Sequence, residues 1–443
     1  MYAAKVGRIE SLTKIEKADN IQTAYVYGTP VVVSKDAKVG DIGLLFIEGG
    51  QIAPWFLRSN NLYSSSMLNE DNTKKGYFDD NGRVRAQTFR GAKSEGFFCP
   101  LSYLGGPYVP GDPSLPVGTE LNKWSGVDLC WKYIKGGAPS PAGSSKREEG
   151  RKFTFHVPAF EEHKDTKQWR FIKDYLDQEV INQNPIITLT VKLHGTSGRY
   201  GKHEISWSPI GLWFENKISD RNKWKPYIRR VLNNLLRWNV RKEYQYVTGS
   251  RRKVLTNDKG FYGNEQFRYD ILEKKLMHVL TPGMSIYGEI VGWHPDGKPF
   301  MSPADLNILK DKEILKSFRN KILPFKYNLN PGEMDFYVYR ITQGGVDMSH
   351  RNIINFCNEY GLNHVPTLYS GPAWEVWPKV KEVLADIDKS PNCDLDPETL
   401  KEGYVVRVDW PDGRVDFYKE KTFVFKVCEG LAKEKEVDLE DVS

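Results

Sequence analysis

Alternating apolar positions along residues 1 to about 125 predict a region built from short strands. Six apolar runs recur there, separated by turn signals such as Lys38-Val-Gly-Asp41 and Glu48-Gly-Gly50. The runs are Val6–Ile9, Gln22–Val26, Pro30–Val33, Ile42–Ile47, Val84–Phe89 and Gly96–Leu101. Because no long helical pattern interrupts them, we predict an all-β domain over residues 1–130 with the form of an OB-like β-barrel.

The composition changes abruptly after this strand-rich region. Residues 136–152 are rich in Gly, Pro, Ser and charged residues, a mixture that no packed element accommodates. We therefore predict a flexible linker over residues 131–154, followed by a second domain over residues 155–443.

The second domain combines helical and strand patterns. Asp165 is a suitable N-cap for a helix that runs through Leu176, and further helices are predicted at His350–Tyr360 and Glu375–Asp386. The predicted strands are Ile187–Lys192, Ser285–Gly292, Asp335–Ile341, Glu402–Val408 and Val415–Lys426. This mixture predicts an α+β domain with antiparallel sheets.

A basic and aromatic insertion spans about residues 201–246 of the second domain. Within it, apolar residues at helical spacing predict an amphipathic helix; they are Ile228, Val231, Leu232, Leu235 and Leu236. The basic residues around them could form a solvated helix face or a nucleic-acid contact, and the sequence leaves both open.

The overall composition fits a soluble globular protein of two or three domains. The chain has 443 residues, 40% hydrophobic and 27% charged, and its net charge of +6 favours an anionic partner only weakly. No apolar run approaches the roughly 18 residues of a membrane span, and the N-terminus lacks a signal-peptide layout. We therefore expect no membrane association and an intracellular, cytoplasmic location. The five cysteines form no CxxC pair, so neither a zinc site nor a disulfide framework is indicated.

Candidate chemistry lies in charged residues on otherwise apolar strands. Lys192 ends a strand whose alternate residues from Ile187 to Leu193 are apolar, and alone it is most simply explained as a solvated strand-edge charge. Comparable residues occur on other strands, namely Glu289, Glu402, Lys419 and Lys421. An isolated buried carboxylate costs several kcal/mol unless it is partnered. The set therefore suggests a shared cavity for a nucleoside triphosphate with a divalent metal.

The order of these motifs resembles that of the covalent nucleotidyltransferases, the superfamily of DNA ligases, RNA ligases and mRNA capping enzymes. The motifs are Lys192-Leu-His-Gly195, Ser250-Arg251, Tyr287-Gly-Glu289, Phe336-Tyr-Val-Tyr339, Glu402-Gly-Tyr-Val405 and Lys419-Glu-Lys421. The histidine of the first motif, a barrel that precedes the second domain, and the His163-x-Asp165-Thr166 run are similar to the Naegleria-type RNA ligases. The resemblance covers nearly the whole chain and implies that residues 155–443 form an adenylyltransferase, an ATP-grasp-like ligase domain.

This resemblance implies an ATP-dependent RNA ligase. Lysine attacks ATP to form lysyl-AMP, AMP passes to an RNA 5′-phosphate, and a 3′-OH then displaces AMP. The implied cofactors are ATP, as AMP donor, and Mg²⁺ or Mn²⁺. The implied partner is RNA, as free ends or a nicked duplex in a repair role, and no obligate protein partner is evident.

The resemblance also implies residue roles. Lys192 is the expected nucleophile, and Lys419 and Lys421 are expected to hold the α-phosphate. His194 is expected to serve the later steps, and Glu402 to bind the metal. The expected nucleotide-binding residues are Gln168, Arg170, Gly195, Arg251, Glu289, Tyr339, Val405, Lys419 and Lys421.

Three of these assignments are more specific. Tyr339 is expected to stack on adenine with Val405 on the opposite face, and Glu289 to contact ribose hydroxyls or the waters of the metal. Arg251 is expected to contact the ribose or the 5′-phosphate end, with Arg199 as its rival because the interval from Lys192 to Arg251 is long.

Two other functions remain open. A DNA ligase or a GTP-dependent capping nucleotidyltransferase shares the same motif order. A non-catalytic RNA-binding protein with a degenerate nucleotidyltransferase domain is the rival from another class. The complete set of strand lysines and glutamates argues against that rival, because a degenerate site is free to lose them.

Overall fold

The computed structural model describes most of the chain. The described residues are 2–16, 18–89, 92–105, 115–133, 160–164, 166–171, 173–207, 241–251, 253–255, 265–309 and 311–436. Residues 134–154 of the predicted linker, the predicted N-cap Asp165 and the predicted helix of the insertion lie outside them. We refer to the described residues up to 133 as the N-terminal region and to those from 160 as the C-terminal region.

Short strands dominate the N-terminal region, and each of the six predicted apolar runs overlaps one. The strands are β1 (Ala4–Arg8), β2 (Ser11–Lys14), β3 (Ile21–Val26), β4 (Thr29–Ser34), β5 (Ile42–Ile47), β6 (Gly50–Ile52), β7 (Ala86–Phe89), β8 (Ala92–Ser94), β9 (Gly96–Pro100), β10 (Glu120–Leu121), β11 (Lys123–Trp124), β12 (Val127–Asp128) and β13 (Cys130–Lys132), with one α-helix, α1 (Pro54–Ser59). The larger sheets have the orders β10-β1-β5-β9 and β2-β3-β4. The described strands do not join into one closed sheet, so the OB-like barrel stays a prediction.

Two sheets form the frame of the C-terminal region. Its strands are β14 (Lys167–Gln168), β15 (Ile186–Lys192), β16 (Thr196–Trp207), β17 (Arg241–Gly249), β18 (Val254–Leu255), β19 (Met284–Gly292), β20 (Ala304–Asp305), β21 (Ile322–Leu323), β22 (Met334–Gln343), β23 (Val346–Asp347), β24 (Asn363–His364), β25 (Thr367–Pro372), β26 (Gly403–Asp409), β27 (Val415–Lys421) and β28 (Ala432–Glu436). The five-stranded sheet has the order β14-β27-β26-β15-β25, and the seven-stranded sheet follows β18-β17-β16-β19-β22-β23, with β24 beside β22.

Described helices pack around these sheets. They are α2 (Lys173–Gln183), α3 (Gln266–Ile271), α4 (Lys312–Lys316), α5 (His350–Glu359), α6 (Ala373–Ala385) and α7 (Phe423–Cys428). Most strand pairs are antiparallel; the parallel pairs within the two sheets are β14–β27 and β22–β24. The predicted α+β class with antiparallel sheets is therefore confirmed. None of the helices in the described ranges has the length and apolar character needed to cross a membrane.

Two helix predictions are confirmed and two local predictions are wrong. Helices α5 and α6 lie where the apolar spacing predicts them. The predicted helix up to Leu176 begins instead at Lys173, because Lys167 and Gln168 pair as a short parallel strand with Tyr418 and Lys419. The predicted strand over Val415–Lys426 ends at Lys421, because Thr422 caps α7 by accepting a hydrogen bond at Oγ1 from the Phe425 amide at 3.2 Å.

The insertion begins and ends as paired strands. Residues 199–207 of β16 run antiparallel to β17, with Trp207 opposite Arg241. The two strands extend the seven-stranded sheet at one edge, so the part of residues 201–246 that the structure describes is β-structure.

The two regions are joined by a buried group of charged side chains, the inter-region ion cluster. Its members are Glu48 and Glu95 of the N-terminal region with Arg170, Glu420 and Lys426 of the C-terminal region. Lys426 Nζ lies 2.9 Å from a carboxylate oxygen of each N-terminal glutamate, and Arg170 lies 2.7 Å from Glu420. Strand β28 also pairs in parallel with β7. Buried charges and backbone pairing thus hold the N-terminal region against the end of the chain.

Lys426→Met is expected to lower the free energy of unfolding by about 3–5 kcal/mol, because it leaves three buried carboxylates with one cation. Lys426 is 2% exposed, so water cannot replace the lost ammonium. Denaturant titration measures the change. The control Lys316→Met breaks an exposed ion pair with Glu313 and is expected to change the free energy of unfolding by less than about 0.5 kcal/mol. Equal changes in the two variants would contradict a stabilising role for the cluster.

Candidate active site

Lys192 is delivered to the site by the central part of the five-stranded sheet. Strand β15 pairs with β25 on one side and with β26 on the other, and Lys192 lies opposite Gly403. The apolar side chains of Ile187, Leu189 and Val191 are buried, which anchors the strand. Lys192 itself is 24% exposed, so its ammonium group lies at the border between core and solvent.

Glu402 connects Lys192 to Lys421. Its Oε1 atom lies 2.8 Å from Lys192 Nζ and 2.8 Å from Lys421 Nζ, and the side chain is 2% exposed. Burial alone would raise the pKa of Glu402, but Lys192, Lys421 and His194 outweigh burial and hold this pKa well below its usual range. Glu402 is therefore a fixed anion between two cations.

His194 lies between two carboxylates. Its Nδ1 is 3.6 Å from Glu402 Oε2, and its Nε2 is 3.5 Å from Glu429 Oε1. Burial lowers the pKa of His194, but the contacts with the carboxylates of Glu402 and Glu429 outweigh burial and raise it. The ring is packed edge-on against Phe325 and Phe425, with centroid distances of 4.5 and 4.8 Å. These contacts fix the imidazole beside the Lys192–Glu402 pair.

Glu289 is brought to the same place from the seven-stranded sheet. Its Oε1 accepts a hydrogen bond of 3.1 Å from the Gly195 amide. Burial raises the pKa of Glu289 to about 7 although Lys192 opposes the shift. A Cβ atom at Gly195 would lie 2.2 Å from the Ile290 carbonyl oxygen, so only glycine fits where the two sheets approach each other.

Arg268 holds the turn after Lys192. It is 2% exposed and donates hydrogen bonds to the Ser197 carbonyl at 2.6 Å and to Thr196 Oγ1 at 2.9 Å, while Glu265 pairs with it at 2.6 Å. Sequence reasoning missed both residues, because nothing near Arg268 in the chain indicates that it contacts this turn.

A cavity of about 140 Å³ opens beside Lys192 between the two sheets. The five-stranded sheet contributes both apolar and polar groups, and the seven-stranded sheet contributes mainly aromatic and charged groups. The lining residues are His163, Lys164, Thr166, Thr190, Val191, Lys192, Leu193, Ser197, Arg251, Tyr287, Glu289, Tyr339, Arg340, His350, Val365, Val405, Arg407 and Phe417. Tyr339 and Val405 thus reach one cavity from different sheets, as their predicted roles require.

Lys419 and Lys421 lie on the cavity-facing side of β27. They alternate with Phe417, which lines the cavity, so the three side chains share one face of the strand. Burial lowers the pKa of Lys419 to about 7, and the charges of Lys421 and Lys192 add to the shift. Three lysines therefore converge on one end of the cavity, and Glu402 pairs with two of them.

Lys419→Met is expected to stabilise the fold most at low pH. The folded-state pKa of Lys419, about 7, lies below its ordinary value of 10.5, so the unfolded chain binds more protons between these values and wild-type stability rises with pH there. The gain in the free energy of unfolding of the variant should be on the order of 1–2 kcal/mol at pH 6 and vanish near pH 10.5.

Thermal unfolding at several pH values between 6 and 10.5 measures this gain. The exposed residue Lys379 on α6 provides the matched control Lys379→Met, for which a pH-independent difference from wild type is expected. A pH-independent difference for Lys419→Met as well would contradict the expected depression of its pKa.

The structure separates the two candidate arginines. Arg251 lines the cavity. Arg199 is 1% exposed and donates to the backbone carbonyls of Ser250 at 2.9 Å, Phe160 at 3.0 Å and Glu161 at 2.6 Å. Arg199 thus has a structural role, and Arg251 is the arginine that can contact a ligand.

Gln168 and Arg170 do not join the other predicted nucleotide-binding residues. Both line a second, much smaller cavity with Glu48, Glu95 and Lys426, and Arg170 belongs to the inter-region ion cluster. The reason is tertiary: the carboxylates that pair with Arg170 include Glu95, from a part of the chain that the sequence does not connect with it.

Several cavity residues were not predicted. Arg340 is buried, pairs with Asp347 and lies over the Tyr287 ring at 4.7 Å. Arg407 pairs with Asp409 at 2.6 Å. Both arginines are charged residues on otherwise apolar strands. The same pattern identified Glu289 and Glu402 in the sequence and could have identified these arginines as well. Glu429 follows α7 and gives no such signal.

The carboxylates suit a hard divalent cation. Glu402 Oε2 is buried and receives no hydrogen bond from a described residue. The charge of Lys192, which pairs with Glu402, also acts on Glu289. Mg²⁺ and Mn²⁺ prefer oxygen donors and, for Mg²⁺, retain several waters, so two carboxylates are a sufficient protein contribution. No group of three or more His, Cys, Asp or Glu residues in metal-binding arrangement occurs among the described residues.

Comparisons with known proteins point to one family. A protein-family model described as RNA ligase matches residues 185–428, more than half of the chain. Among solved structures, a Naegleria gruberi RNA ligase mutant with AMP and Mn gives a TM-score of 0.55 at 16% identity, covering 96% of this chain and 98% of that chain. The same ligase with pyrophosphate gives 0.55 at 17% identity, covering 96% and 97%. The comparison with curated proteins gave no match.

Proposed function

Because the chain belongs to the RNA ligase family, we propose that it is an ATP-dependent enzyme that joins a 3′-OH to a 5′-phosphate of RNA through a lysyl-AMP intermediate. The observation that carries the proposal is the Lys192–Glu402–Lys421 arrangement at the end of a cavity between two sheets. The resemblance to the Naegleria-type RNA ligases is confirmed by the family match and by the likeness of fold.

In the first step the neutral amine of Lys192 attacks the α-phosphorus of ATP. A nitrogen–phosphorus bond forms, the bond from the α-phosphorus to the bridging oxygen breaks, and pyrophosphate and one proton leave. Glu402 holds Lys192 in place but is a weak base, because its own pKa is held low. Its role in this step is to orient the amine.

Lys419 and Lys421 are suited to stabilise the transferring phosphate. Negative charge accumulates on the non-bridging oxygens in the transition state, and preorganised cations at that position lower the barrier. The two ammonium groups lie on the cavity side of β27, and binding of the polyphosphate would favour the charged form of Lys419.

The nucleoside would occupy the aromatic part of the cavity. Tyr339 and Val405 come from different sheets and can enclose a purine from both faces, where stacking on one base contributes roughly 1–3 kcal/mol. Arg251 is available for the ribose or a 5′-phosphate. A metal held by Glu402 and Glu289 would neutralise phosphate charge and favour the neutral amine of Lys192.

In the later steps AMP passes to the 5′-phosphate of RNA, and the 3′-OH then displaces it. His194 is fixed between Glu402 and Glu429 and would act at the RNA end. We assign the nicked duplex as the substrate and repair as the role, because the two ends to be joined are already adjacent there.

We further propose that residues 1–130 form a domain, an OB-like β-barrel, and that residues 131–154 link it to the ligase domain. We also propose that the barrel contacts the phosphates of ATP. Hydrogen bonds of 2.8 Å from the Glu95 amide to the Pro30 carbonyl and from the Glu10 amide to the Tyr25 carbonyl connect its sheets. Lys132, at the start of the proposed linker, lies on β13, which pairs with β6 of the barrel. The charge of Lys132 contributes to the low pKa of Lys419, which supports proximity of this edge of the barrel to the phosphate site.

The test is covalent labelling followed by nick sealing. Incubation with α-labelled ATP or GTP and Mg²⁺ or Mn²⁺ should label the chain with ATP only. Matched nicked duplexes with RNA or DNA on each side should be sealed when the 3′-OH strand is RNA. Labelling by GTP alone would indicate a capping activity, sealing of DNA alone a DNA ligase, and RNA binding without labelling a non-catalytic protein; each would refute the proposal.

A further inference from the structure

His163 lines the cavity but has no role in the chemistry described above. Its Nδ1 atom and the Tyr339 hydroxyl form a hydrogen bond. Its ring meets Tyr287 edge to face, with centroids 5.3 Å apart and an interplanar angle of 88°, and its backbone amide donates to the Arg251 carbonyl at 3.3 Å. Three cavity-lining residues thus fix the position of the imidazole.

The other ring nitrogen of His163 lacks a hydrogen-bond partner within the part of the chain that the structure describes. Nε2 is buried and makes no hydrogen bond to any described residue. A buried polar atom without a partner costs about 1–3 kcal/mol, and such atoms are rare in folded proteins. An unsatisfied nitrogen on a cavity-lining side chain indicates that the missing partner belongs to a ligand.

The chemistry of the two rings decides which hydrogen-bonding role Nε2 has. Burial, together with the charges of Arg199 and Arg251, lowers the pKa of His163 to about 3, so the ring carries one proton. Burial raises the pKa of Tyr339 well above its ordinary value, so its hydroxyl keeps its proton and can donate it to Nδ1. The single proton of the neutral imidazole then resides on Nε2, which becomes a donor.

We propose that His163 is a specificity-determining residue of the nucleotide site, whose Nε2–H donates to an acceptor on the nucleoside while Nδ1 holds Tyr339 in position. The acceptor is a purine ring nitrogen or a ribose oxygen, since both are neutral acceptors within the nucleoside. This inference rests on the proposed ATP-dependent labelling and adds the group that recognises the nucleoside.

Two substitutions of His163 distinguish the roles of its two ring nitrogens. His163→Asn retains an acceptor near the Nδ1 position but has no group at Nε2, and His163→Gln retains an amide donor near the Nε2 position. His163→Asn is expected to raise the half-saturating ATP concentration for covalent labelling by roughly three- to tenfold, the effect of one neutral hydrogen bond. The labelling rate at saturating ATP should change by less than about twofold, and His163→Gln should retain more of the ATP affinity.

Analogues of ATP identify the acceptor. The 1-deaza, 3-deaza and 7-deaza analogues each lack one ring nitrogen, and the 2′-deoxy and 3′-deoxy analogues each lack one ribose hydroxyl. One of the five analogues should bind the wild-type chain roughly three- to tenfold more weakly than ATP does. The same analogue should bind His163→Asn no more weakly than ATP does, because that variant has already lost the contact to Nε2. A deaza analogue with this behaviour assigns the base, and a deoxy analogue assigns the ribose.

Other outcomes would overturn the proposal. An unchanged half-saturating ATP concentration in His163→Asn, or equal losses in the two variants, would mean that Nε2 contributes nothing. If, for every one of the five analogues, the loss of affinity caused by the analogue multiplies with the loss caused by His163→Asn, then His163 contacts none of these atoms. If the wild-type chain is labelled by ATP while these results are obtained, only this inference fails; if the wild-type chain is not labelled at all, the proposed function fails with it.

Discussion

Lys192→Ala is expected to abolish covalent labelling by α-labelled ATP, a loss of at least about a thousandfold, as found when a catalytic nucleophile is removed. The alanine side chain has no nitrogen to form the bond to phosphorus. Glu402 keeps its partner Lys421 at 2.8 Å, so the rest of the charge arrangement survives the substitution. Quantified transfer of the label to protein, with and without Mg²⁺, measures the effect.

Two controls make the Lys192 result specific. Lys381→Ala breaks an ion pair with Asp177 on the helices of the same region and is expected to leave labelling intact. RNA already adenylylated at its 5′ end at a nick should still be sealed by Lys192→Ala, because the last step needs no lysine adduct. Retained labelling of Lys192→Ala, with the adduct mapped to another residue, would contradict the assignment of the nucleophile.

Much of the site was predictable from the sequence because its residues violate a local pattern. Lys192, Glu289, Glu402 and Lys421 interrupt apolar strands, and the fold brings all four together. Strand positions follow from apolar runs bounded by turns, which are local properties, so the strands that carry these residues could be located as well.

The errors arise where a distant part of the chain decides the outcome. Arg170 was assigned to the nucleotide site only through the resemblance, and its position depends on Glu95 and Glu420, whose proximity only the folded chain reveals. Glu429 was missed for the related reason that its partner, His194, comes from a distant segment. The prediction of one strand over Val415–Lys426 was wrong for a different reason. Thr422 is a helix cap, but a β-branched residue among aromatic residues is a pattern typical of a strand.

Glu402→Gln is the second substitution expected to have a large effect, a loss of covalent labelling of at least about a hundredfold. The amide keeps the shape of the side chain but removes the charge that pairs with Lys192 and Lys421. Three lysine ammonium groups then face the cavity without the buried anion between them, which repels a divalent cation and leaves the attacking amine unoriented. Higher Mg²⁺ or Mn²⁺ should therefore fail to restore labelling.

Glu429→Gln supplies the matched control for this change. Glu429 contacts the opposite side of the same histidine, with its Oε1 3.5 Å from His194 Nε2, but it is not one of the carboxylates paired with Lys192 or Lys421. Removal of its charge is expected to reduce labelling by less than about tenfold, since it mainly affects the position of His194 while Glu402 still pairs with Lys192 and Lys421. Circular dichroism should report the same folded spectrum for both variants, because Lys192 and Lys421 are partly exposed and can turn toward water. Equal losses in Glu402→Gln and Glu429→Gln would show that the carboxylates act only by holding His194, and would remove Glu402 as the metal ligand.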